Sequence, residues 1–199
     1  MPITTLSFAP ASPQRRVLVL FAHSTPHLSR VNRKLADAAR QVDNVELHDL
    51  YATYPDFYID VAAEQARARA ADMLVFLHPF QWYSMPALMK EWVDTVLQPG
   101  WAYGPGGNAL AGKTYLLALT TGSLEAAYAP GQAHAHPLEH YLAPFRQTAA
   151  LCNMKWAAPH VLHGAHRVTD AEVDAHVAAF AERLARFVNS PQQDGPDGT

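Results

Sequence analysis

The sequence predicts a three-layer α/β/α domain built on a doubly wound parallel sheet of five strands. Its clearest signals are apolar runs of strand length at residues 17–21, 73–77 and 115–119, with weaker candidates at residues 45–50 and 156–162. The clear runs do not alternate with polar residues, which is typical of strands covered on both faces. Segments of helical period separate the runs, and this alternation favours parallel strands joined by right-handed crossovers.

Three helix starts are readable. Ser29 is a candidate cap for the helix after the first strand, because its hydroxyl can accept from a free backbone N–H. Pro86 suits the first turn of the helix after the third run. Thr169 and Glu172 form a capping box ahead of the last helix, whose apolar residues then recur at steps of three and four.

Length and composition fit one globular domain. The chain has 199 residues, of which 49% are apolar and 17% charged. We expect a loose leader at residues 1–14, one domain at residues 15–188 and a disordered tail at residues 189–199, because both ends are rich in turn-forming and small polar residues.

Charge and hydropathy narrow the function class. The formal net charge of −3 offers no basic surface for nucleic acid and no polybasic membrane anchor. The first residues lack the apolar core of a signal peptide, and no run approaches the roughly 20 apolar residues that span a bilayer. Cys152 is the single cysteine, which excludes an internal disulfide. The sequence therefore predicts a cytoplasmic protein.

Polar residues follow the first strand, at the sheet edge where doubly wound folds bind ligands. His23, Ser29 and Asn32 lie in a loop that enters a helix N-terminus. Free amides and the helix dipole favour a phosphate there, although no GxGxxG fingerprint is present. The alternative is that Ser29 only caps the helix and His23 is an ordinary loop residue.

The next two loops also have ligand-binding character. Phe80, Trp82 and Tyr83 could wall a flat heterocycle, with Gln81 at its edge, although the aromatics could instead fill the core. Residues 120–123 add hydroxyls and a glycine that permits close approach of a ligand, although a plain turn explains them too. Three such loops at successive strand ends indicate a ligand site more strongly than any one loop.

At these loops the chain resembles the quinone-reductase branch of the flavodoxin-like flavoproteins, and more closely the ancillary oxidoreductases of glutathione-gated bacterial potassium-efflux systems. The resemblance extends from Val17 to Val188. Its motifs are His23-x5-Ser29-x2-Asn32, Leu-Tyr-Ala-Thr-Tyr-Pro-Asp-Phe-Tyr-Ile-Asp at 50–60, His-Pro-Phe-Gln-Trp-Tyr-Ser at 78–84, Pro-Ala-Leu-Met-Lys-Glu-Trp-Val-Asp at 86–94, Gly-Trp-Ala-Tyr-Gly at 100–104, Gly-Lys at 112–113 and Thr-Thr-Gly at 120–122.

The resemblance implies a bound flavin, FMN in this branch and FAD in the broader one. The implied cofactor-binding residues are His23, Ser29, Arg30, Val31, Asn32, Pro79, Phe80, Gln81, Trp82, Tyr83, Thr120, Thr121, Gly122 and Ser123. It also implies a homodimer with active sites at the subunit boundary. Residues 86–103 would contribute to that boundary through Trp92, Trp101 and Tyr103. The alternative is that these three aromatics all pack inside the subunit.

The resemblance also assigns catalytic roles. Tyr128 is similar to the family tyrosine that helps neutralise charge during hydride transfer, and His134 or His136 to the accompanying histidine. The backbone amides of Gly122 and Ser123 would stabilise negative charge on the reduced flavin. Two residues depart from the family pattern. Ser24 replaces a usual proline, and Ser123 replaces a common second glycine.

The predicted function is a ping-pong NAD(P)H:quinone oxidoreductase, with NADH or NADPH as the electron donor. The alternative is a regulatory ancillary subunit that activates a membrane potassium-efflux protein, which would place the protein at the inner face of the membrane. A one-electron carrier fits less well, because such carriers are strongly acidic. We expect no metal site, since histidine sets such as His160, His163 and His166 read as loop residues, and we expect Cys152 to be inert packing.

Overall fold

The computed structural model describes residues 14–191, so that residues 1–13 of the expected leader and residues 192–199 of the expected tail lie outside the described range. Within it, six strands form one parallel sheet. They are β1 (Val17–Phe21), β2 (Val45–Asp49), β3 (Met73–Pro79), β4 (Thr114–Thr120), β5 (Lys155–Trp156) and β6 (His160–Leu162).

The strand order is β2-β1-β3-β4-β5, with β6 also paired to β4. This is the doubly wound order of the flavodoxin-like fold, in which the chain reverses direction across the sheet between β1 and β3. The predicted fold class is confirmed.

Seven helices cover the sheet in the described range. They are α1 (Asn32–Ala39), α2 (Leu50–Thr53), α3 (Val61–Ala70), α4 (Ala87–Val96), α5 (Leu138–Tyr141), α6 (Ala143–Leu151) and α7 (Asp170–Asn189). Residues of α1 and α7 belong to the apolar cluster on one face, whereas those of α2 to α6 belong to the cluster on the other face. None of these helices is both long and apolar enough to cross a membrane.

The fifth predicted strand forms as two short pieces. Lys155 and Trp156 pair with the start of β4, and His160 to Leu162 pair with its end. Pro159 lies in the interruption, and proline has no N–H to give to a sheet ladder. The interruption places the end of β6 beside the loop that follows β4.

Two of the predicted helix starts are displaced. The helix after β1 begins at Asn32 rather than directly after Ser29, because residues 26–28 form a 3₁₀ turn that leaves Ser29 extended. The Ser29 hydroxyl still accepts from the backbone N–H of Arg33 at 3.3 Å. Pro86 immediately precedes α4 instead of lying in its first turn. The capping box at the start of α7 is confirmed, with both of its reciprocal hydrogen bonds present.

Trp92 is fully buried, so the expectation that it lies at a subunit boundary is wrong. Its indole N–H donates to the Glu64 carboxylate at 2.7 Å, and the hydroxyl of Tyr54 donates to the same group at 2.7 Å. Nε2 of His48 and Nη1 of Arg67 both lie 2.9 Å from Glu64 Oε1. A buried carboxylate is tolerated only with such compensation, and it anchors α3 to α4 and β2.

Candidate functional site

A cleft of about 360 Å³ opens at the carboxyl ends of β1, β3 and β4. It is lined by His23, Thr25, Leu28, Ser29, Arg30, Val31, Asn32, Pro79, Phe80, Gln81, Thr120, Thr121, Gly122, Ala165 and His166. The lining includes most of the predicted cofactor-binding residues and contains no aspartate or glutamate. Trp82, Tyr83 and Ser123 lie beside the cleft in the same loops rather than in its lining.

The start of α1 supplies free hydrogen-bond donors to this cleft. Within residues 14–191, the backbone N–H groups of Arg30, Val31 and Asn32 have no hydrogen-bond partner. Helix N-termini with such free amides attract anions, and the helix dipole adds to the effect. An acid-free cleft with three adjacent free amides suits a phosphate.

His23 lies half-buried at this end of the cleft, where its Nδ1 accepts from the backbone N–H of Thr25 at 3.2 Å. Burial lowers the pKa of His23, against the opposing effect of the Asp49 carboxylate. The imidazole is therefore neutral at physiological pH, with Nδ1 as an acceptor. Its Nε2–H remains as a donor.

The side chain of Arg30 has a structural role. Its guanidinium donates to the carbonyl of Val168 at 2.7 Å and to that of Ala165 at 3.3 Å. It also pairs with Asp170 at 2.7 Å. These contacts fix the start of α7 against α1. Arg30 also lines the cleft, and its guanidinium is engaged by Asp170 and the two carbonyls.

Asn32 connects two of the three loops. Its side-chain amide donates to the Thr120 hydroxyl at 2.8 Å, and both side chains are buried. Asn32 Oδ1 is buried and has no hydrogen-bond partner among the described residues. A buried acceptor without a partner is costly unless a ligand or water donates to it. This atom suits a hydroxyl group of a bound molecule.

Residues 81–84 form a tight turn at the end of β3, in which the Ser84 N–H donates to the Gln81 carbonyl at 2.9 Å. Trp82 and Tyr83 adopt positive φ values of 47° and 62°. That conformation is strained for bulky residues, and strained residues cluster at ligand sites. Trp82 is 93% exposed, so it does not fill the core. The backbone N–H groups of Trp82 and Tyr83 have no partner within residues 14–191.

Residues 121–123 form a rigid turn at the end of β4. The Ser123 carbonyl accepts from the Thr121 hydroxyl at 2.7 Å and from the Gly164 N–H at 2.8 Å. Neither Gly122 nor Ser123 has a positive φ, so serine fits this backbone without strain. In the described part of the chain, the N–H groups of both residues lack a partner. They remain available to the edge of a bound ring.

Tyr128 and His134 lie together beside these turns. Their rings stack with centroids 4.3 Å apart. Nε2 of His134 is 2.8 Å from the Ser123 hydroxyl, and Nδ1 is 3.4 Å from the Tyr83 hydroxyl. Burial raises the pKa of Tyr128, so its phenol remains protonated at neutral pH. His136 is exposed, and among residues 14–191 its ring is close to the rings of His140 and Tyr141 and to no other ring.

The structure adds Tyr141 and His163, which the sequence did not point to. Tyr141 stacks on Tyr83 at 4.8 Å, and its hydroxyl donates to the His134 carbonyl. Nδ1 of His163 lies 3.1 Å from the Thr121 hydroxyl, and burial lowers the pKa of His163. Both residues lie in segments distant in sequence from the three loops, so no local sequence pattern predicts that they belong to the site.

A flavin fits the residues present. Free amides at three strand ends suit a phosphate and the polar edge of a ring, and the Asn32 acceptor suits the hydroxyls of a ribityl chain. Phe80 and Tyr83 pack edge-to-face with centroids 6.4 Å apart and offer an apolar wall.

Comparison with known proteins identifies the class. A model of a protein family described as having a flavodoxin-like fold matches residues 15–187, and the chain belongs to this family. It is similar to the ancillary protein KefG of a glutathione-regulated potassium-efflux system from Pectobacterium carotovorum, with 46% identity over 170 residues that cover 85% of this chain and 93% of the relative.

Solved structures of the same fold are also similar. General stress protein 14 from Treponema denticola in complex with FMN is 36% identical with a TM-score of 0.78, and the match covers 86% of this chain and 97% of that one. An NADPH-quinone reductase from P. pentosaceus is 25% identical with a TM-score of 0.77, and the match covers 84% and 96%.

Proposed function

We propose that this protein binds FMN and transfers hydride from NADH or NADPH to a quinone. The observation that carries the proposal is the acid-free cleft, which is lined by the free amides of residues 30–32 and of Gly122 and lies beside the aromatic turn at residues 81–84. The similarity to an FMN complex and to an NADPH-quinone reductase supports the same reading. FAD is the alternative cofactor.

Named residues would hold the cofactor. The N–H groups of residues 30–32 and the His23 side chain would bind the phosphate. Asn32 Oδ1 would accept from the ribityl chain, and the amides of Gly122 and Ser123 would bind the ring edge where negative charge collects on reduction. Residues 80–83 would form one wall of the ring site.

A bound flavin supplies reversible two-electron chemistry, and the protein supplies position, electrostatics and exclusion of water. Phe80, Tyr83 and Tyr141 form an aromatic surface that would accept a second flat ring. Donor and acceptor would use this surface in turn, as a ping-pong mechanism requires. The protonated Tyr128 phenol and the His134 imidazole are the proton-carrying groups beside it.

We propose a homodimer for the active form. Within residues 14–191, the exposed Phe, Trp and Tyr side chains are Phe57, Tyr58, Trp82 and Tyr83, of which Tyr58 is 84% and Trp82 is 93% exposed. Exposed aromatics of this size are enriched at interfaces. Trp101 is partly buried under the Arg69 guanidinium, and Tyr103 is also partly buried, so they contribute less of this surface than expected.

The second candidate function is that of an ancillary subunit of a potassium-efflux protein, with turnover incidental. The 46% identity to KefG favours it. In that case the protein would reside in the cytoplasm and associate with the inner face of the membrane through its transporter.

The test is steady-state oxidation of NADH and NADPH by a benzoquinone, with FMN-reconstituted protein. We expect parallel double-reciprocal plots and loss of turnover in Asn32→Ala. A reconstituted protein that turns over neither nucleotide would contradict the enzyme function. Purification with a membrane potassium transporter in that case would favour the ancillary role.

A further inference from the structure

Ser123 is the residue that departs from the family pattern of a second glycine, and the structure gives it a contact that glycine cannot make. Its backbone carbonyl is fixed by Thr121 and Gly164, as described above. The backbone that carries the Ser123 side chain is therefore held in place, and the Ser123 hydroxyl lies 2.8 Å from Nε2 of His134.

Several contacts hold the His134 imidazole in place. Its ring stacks on Tyr128 at 4.3 Å. Its backbone N–H donates to the Ala127 carbonyl at 3.1 Å, and its carbonyl accepts from the Tyr141 hydroxyl. The ring lies in a segment without regular secondary structure, so these contacts, rather than a helix or strand, determine where it is.

Both ring nitrogens of His134 face hydroxyl groups. A neutral imidazole has one donor nitrogen and one acceptor nitrogen. A phenol is a better proton donor than an aliphatic hydroxyl, which favours Tyr83 O–H donating to Nδ1 and Nε2–H donating to Ser123 Oγ. The Ser123 hydroxyl proton is then free to go to another partner, and Ser123 adjoins Gly122, which lines the cleft.

We propose that Tyr83, His134 and Ser123 form a proton relay from solvent to the electron acceptor. This inference rests on the proposed quinone reduction. A quinone that takes one hydride needs one proton to leave as a hydroquinone. Ser123 gives its hydroxyl proton to the quinone oxygen and takes the Nε2 proton of His134. His134 takes the phenolic proton of Tyr83 at Nδ1, and Tyr83, which is 46% exposed, regains a proton from water.

The geometry also selects His134 over His136 as the histidine of the site. His136 is exposed and makes no hydrogen bond to Ser123 or Tyr83. Ser123 therefore acts as a positioning residue for His134 as well as a member of the relay.

The first arm of the test does not need the cofactor. In ¹⁵N-histidine-labelled apoprotein, we expect the ring N–H of His134 to be protected from solvent exchange, like those of buried histidines such as His78, and its signal is assigned by its absence in His134→Asn. It should vanish in Ser123→Ala and persist in Ser123→Thr, which keeps the hydroxyl. His136→Gln should leave it unchanged. A signal that survives in Ser123→Ala would overturn the positioning role.

The second arm separates the two half-reactions by stopped flow. Reduction by the nucleotide delivers hydride alone, so Ser123→Ala should slow this half-reaction less than it slows reoxidation. Reoxidation by a benzoquinone should slow about 10- to 100-fold in Ser123→Ala and Tyr83→Phe, since general acid catalysis contributes about 10²- to 10⁴-fold. Ser123→Thr, which keeps the hydroxyl, should restore the reoxidation rate.

Equal reoxidation rates in wild type and Ser123→Ala would overturn the relay while leaving quinone reduction intact. A protein that reduces no quinone would overturn the proposed function and the relay together. The protected ring proton would then mark a structural contact only. The two failures are thus distinguishable.

Discussion

The side-chain amide of Asn32 donates to the hydroxyl of Thr120 at 2.8 Å, which joins the start of α1 to the end of β4. This bond leaves the carbonyl oxygen of the Asn32 side chain buried and without a partner among the described residues, and Asn32 is one of the residues that line the cleft. Cofactor binding should depend on that oxygen.

Asn32→Ala is expected to weaken FMN binding at least about tenfold, which corresponds to about 1.4 kcal/mol. Quenching of FMN fluorescence on titration measures it. The matched control is Arg33→Ala, since Arg33 is the next residue of α1 and its side chain is exposed. FMN affinity in Asn32→Ala within twofold of wild type would contradict the assignment of this oxygen to the ligand.

We expect the strained turn at residues 81–84 to lower the stability of the apoprotein and to favour FMN binding. Two-residue turns with positive φ at both positions favour asparagine and glycine. Because Trp82 is 93% exposed, Trp82→Asn removes strain and little packing. We expect the free energy of unfolding of the apoprotein to rise by up to about 1 kcal/mol, or its Tm by about 2–4 °C, and the affinity for FMN to fall. Calorimetry of the apoprotein and FMN titration measure the two effects, and a lower Tm would argue against stored strain.

The Glu64 network should govern the stability of the fold in acid. Burial alone would raise the pKa of Glu64, but hydrogen bonds from His48, Tyr54 and Trp92 outweigh it and lower the pKa below 4.5. A lowered native pKa stabilises the fold above the unfolded value of 4.5, and this contribution is lost as pH falls through the native pKa.

Glu64→Gln should therefore lower the free energy of unfolding by about 3 kcal/mol at pH 7, or the Tm by about 6–12 °C. The reason is that the donors of the network lose the carboxylate that accepts their hydrogen bonds. Urea unfolding at pH 7 and in the acid range measures it. The difference between wild type and variant should narrow as pH falls below 4.5. A gap that is constant with pH would show that packing, not charge, explains the loss.

His78 should make the fold sensitive to mild acid. It is buried at the end of β3, and burial lowers its pKa from 6.5 to about 4, against the opposing hydrogen bond to the Pro79 carbonyl. The unfolded chain binds the proton first, so stability is full above pH 6.5 and falls as pH drops from 6.5 to about 4.

With this pKa shift, the free energy of unfolding of the wild type should fall by about 2 kcal/mol between pH 7 and pH 5 through His78 alone. His78→Gln should remove that loss, whereas the exposed His136→Gln should not. His160, whose pKa burial also lowers to about 4, contributes equally to all three proteins and cancels. Urea unfolding at both pH values measures the effect, and parallel losses in wild type and His78→Gln would refute it.

The sequence predicts the parts of the fold that depend on local pattern. Continuous apolar runs mark β1, β3 and β4, because a strand covered on both faces has no polar side. The capping box marks the start of α7 because it lies within four residues. The division of the last strand into β5 and β6 escapes such reasoning, since pairing along β4 is decided by the partner strand.

The candidate site is predictable in its loops but not in its contacts. Fold topology alone brings residues after β1, β3 and β4 to one edge. By contrast, Tyr141 and His163 arrive from distant elements, and the contact of Ser123 with His134 depends on how an irregular segment folds back. The positive φ values of Trp82 and Tyr83 also oppose the preferences of those residues.

The most direct test of the proposed function is the absorbance spectrum of FMN-loaded protein under anaerobic conditions, recorded before and after NADPH and again after a benzoquinone. We expect a flavin band that bleaches with the nucleotide and returns with the quinone. NADH is to be tried in parallel. A protein that takes up neither FMN nor FAD, or a bound flavin that neither nucleotide bleaches, would contradict it.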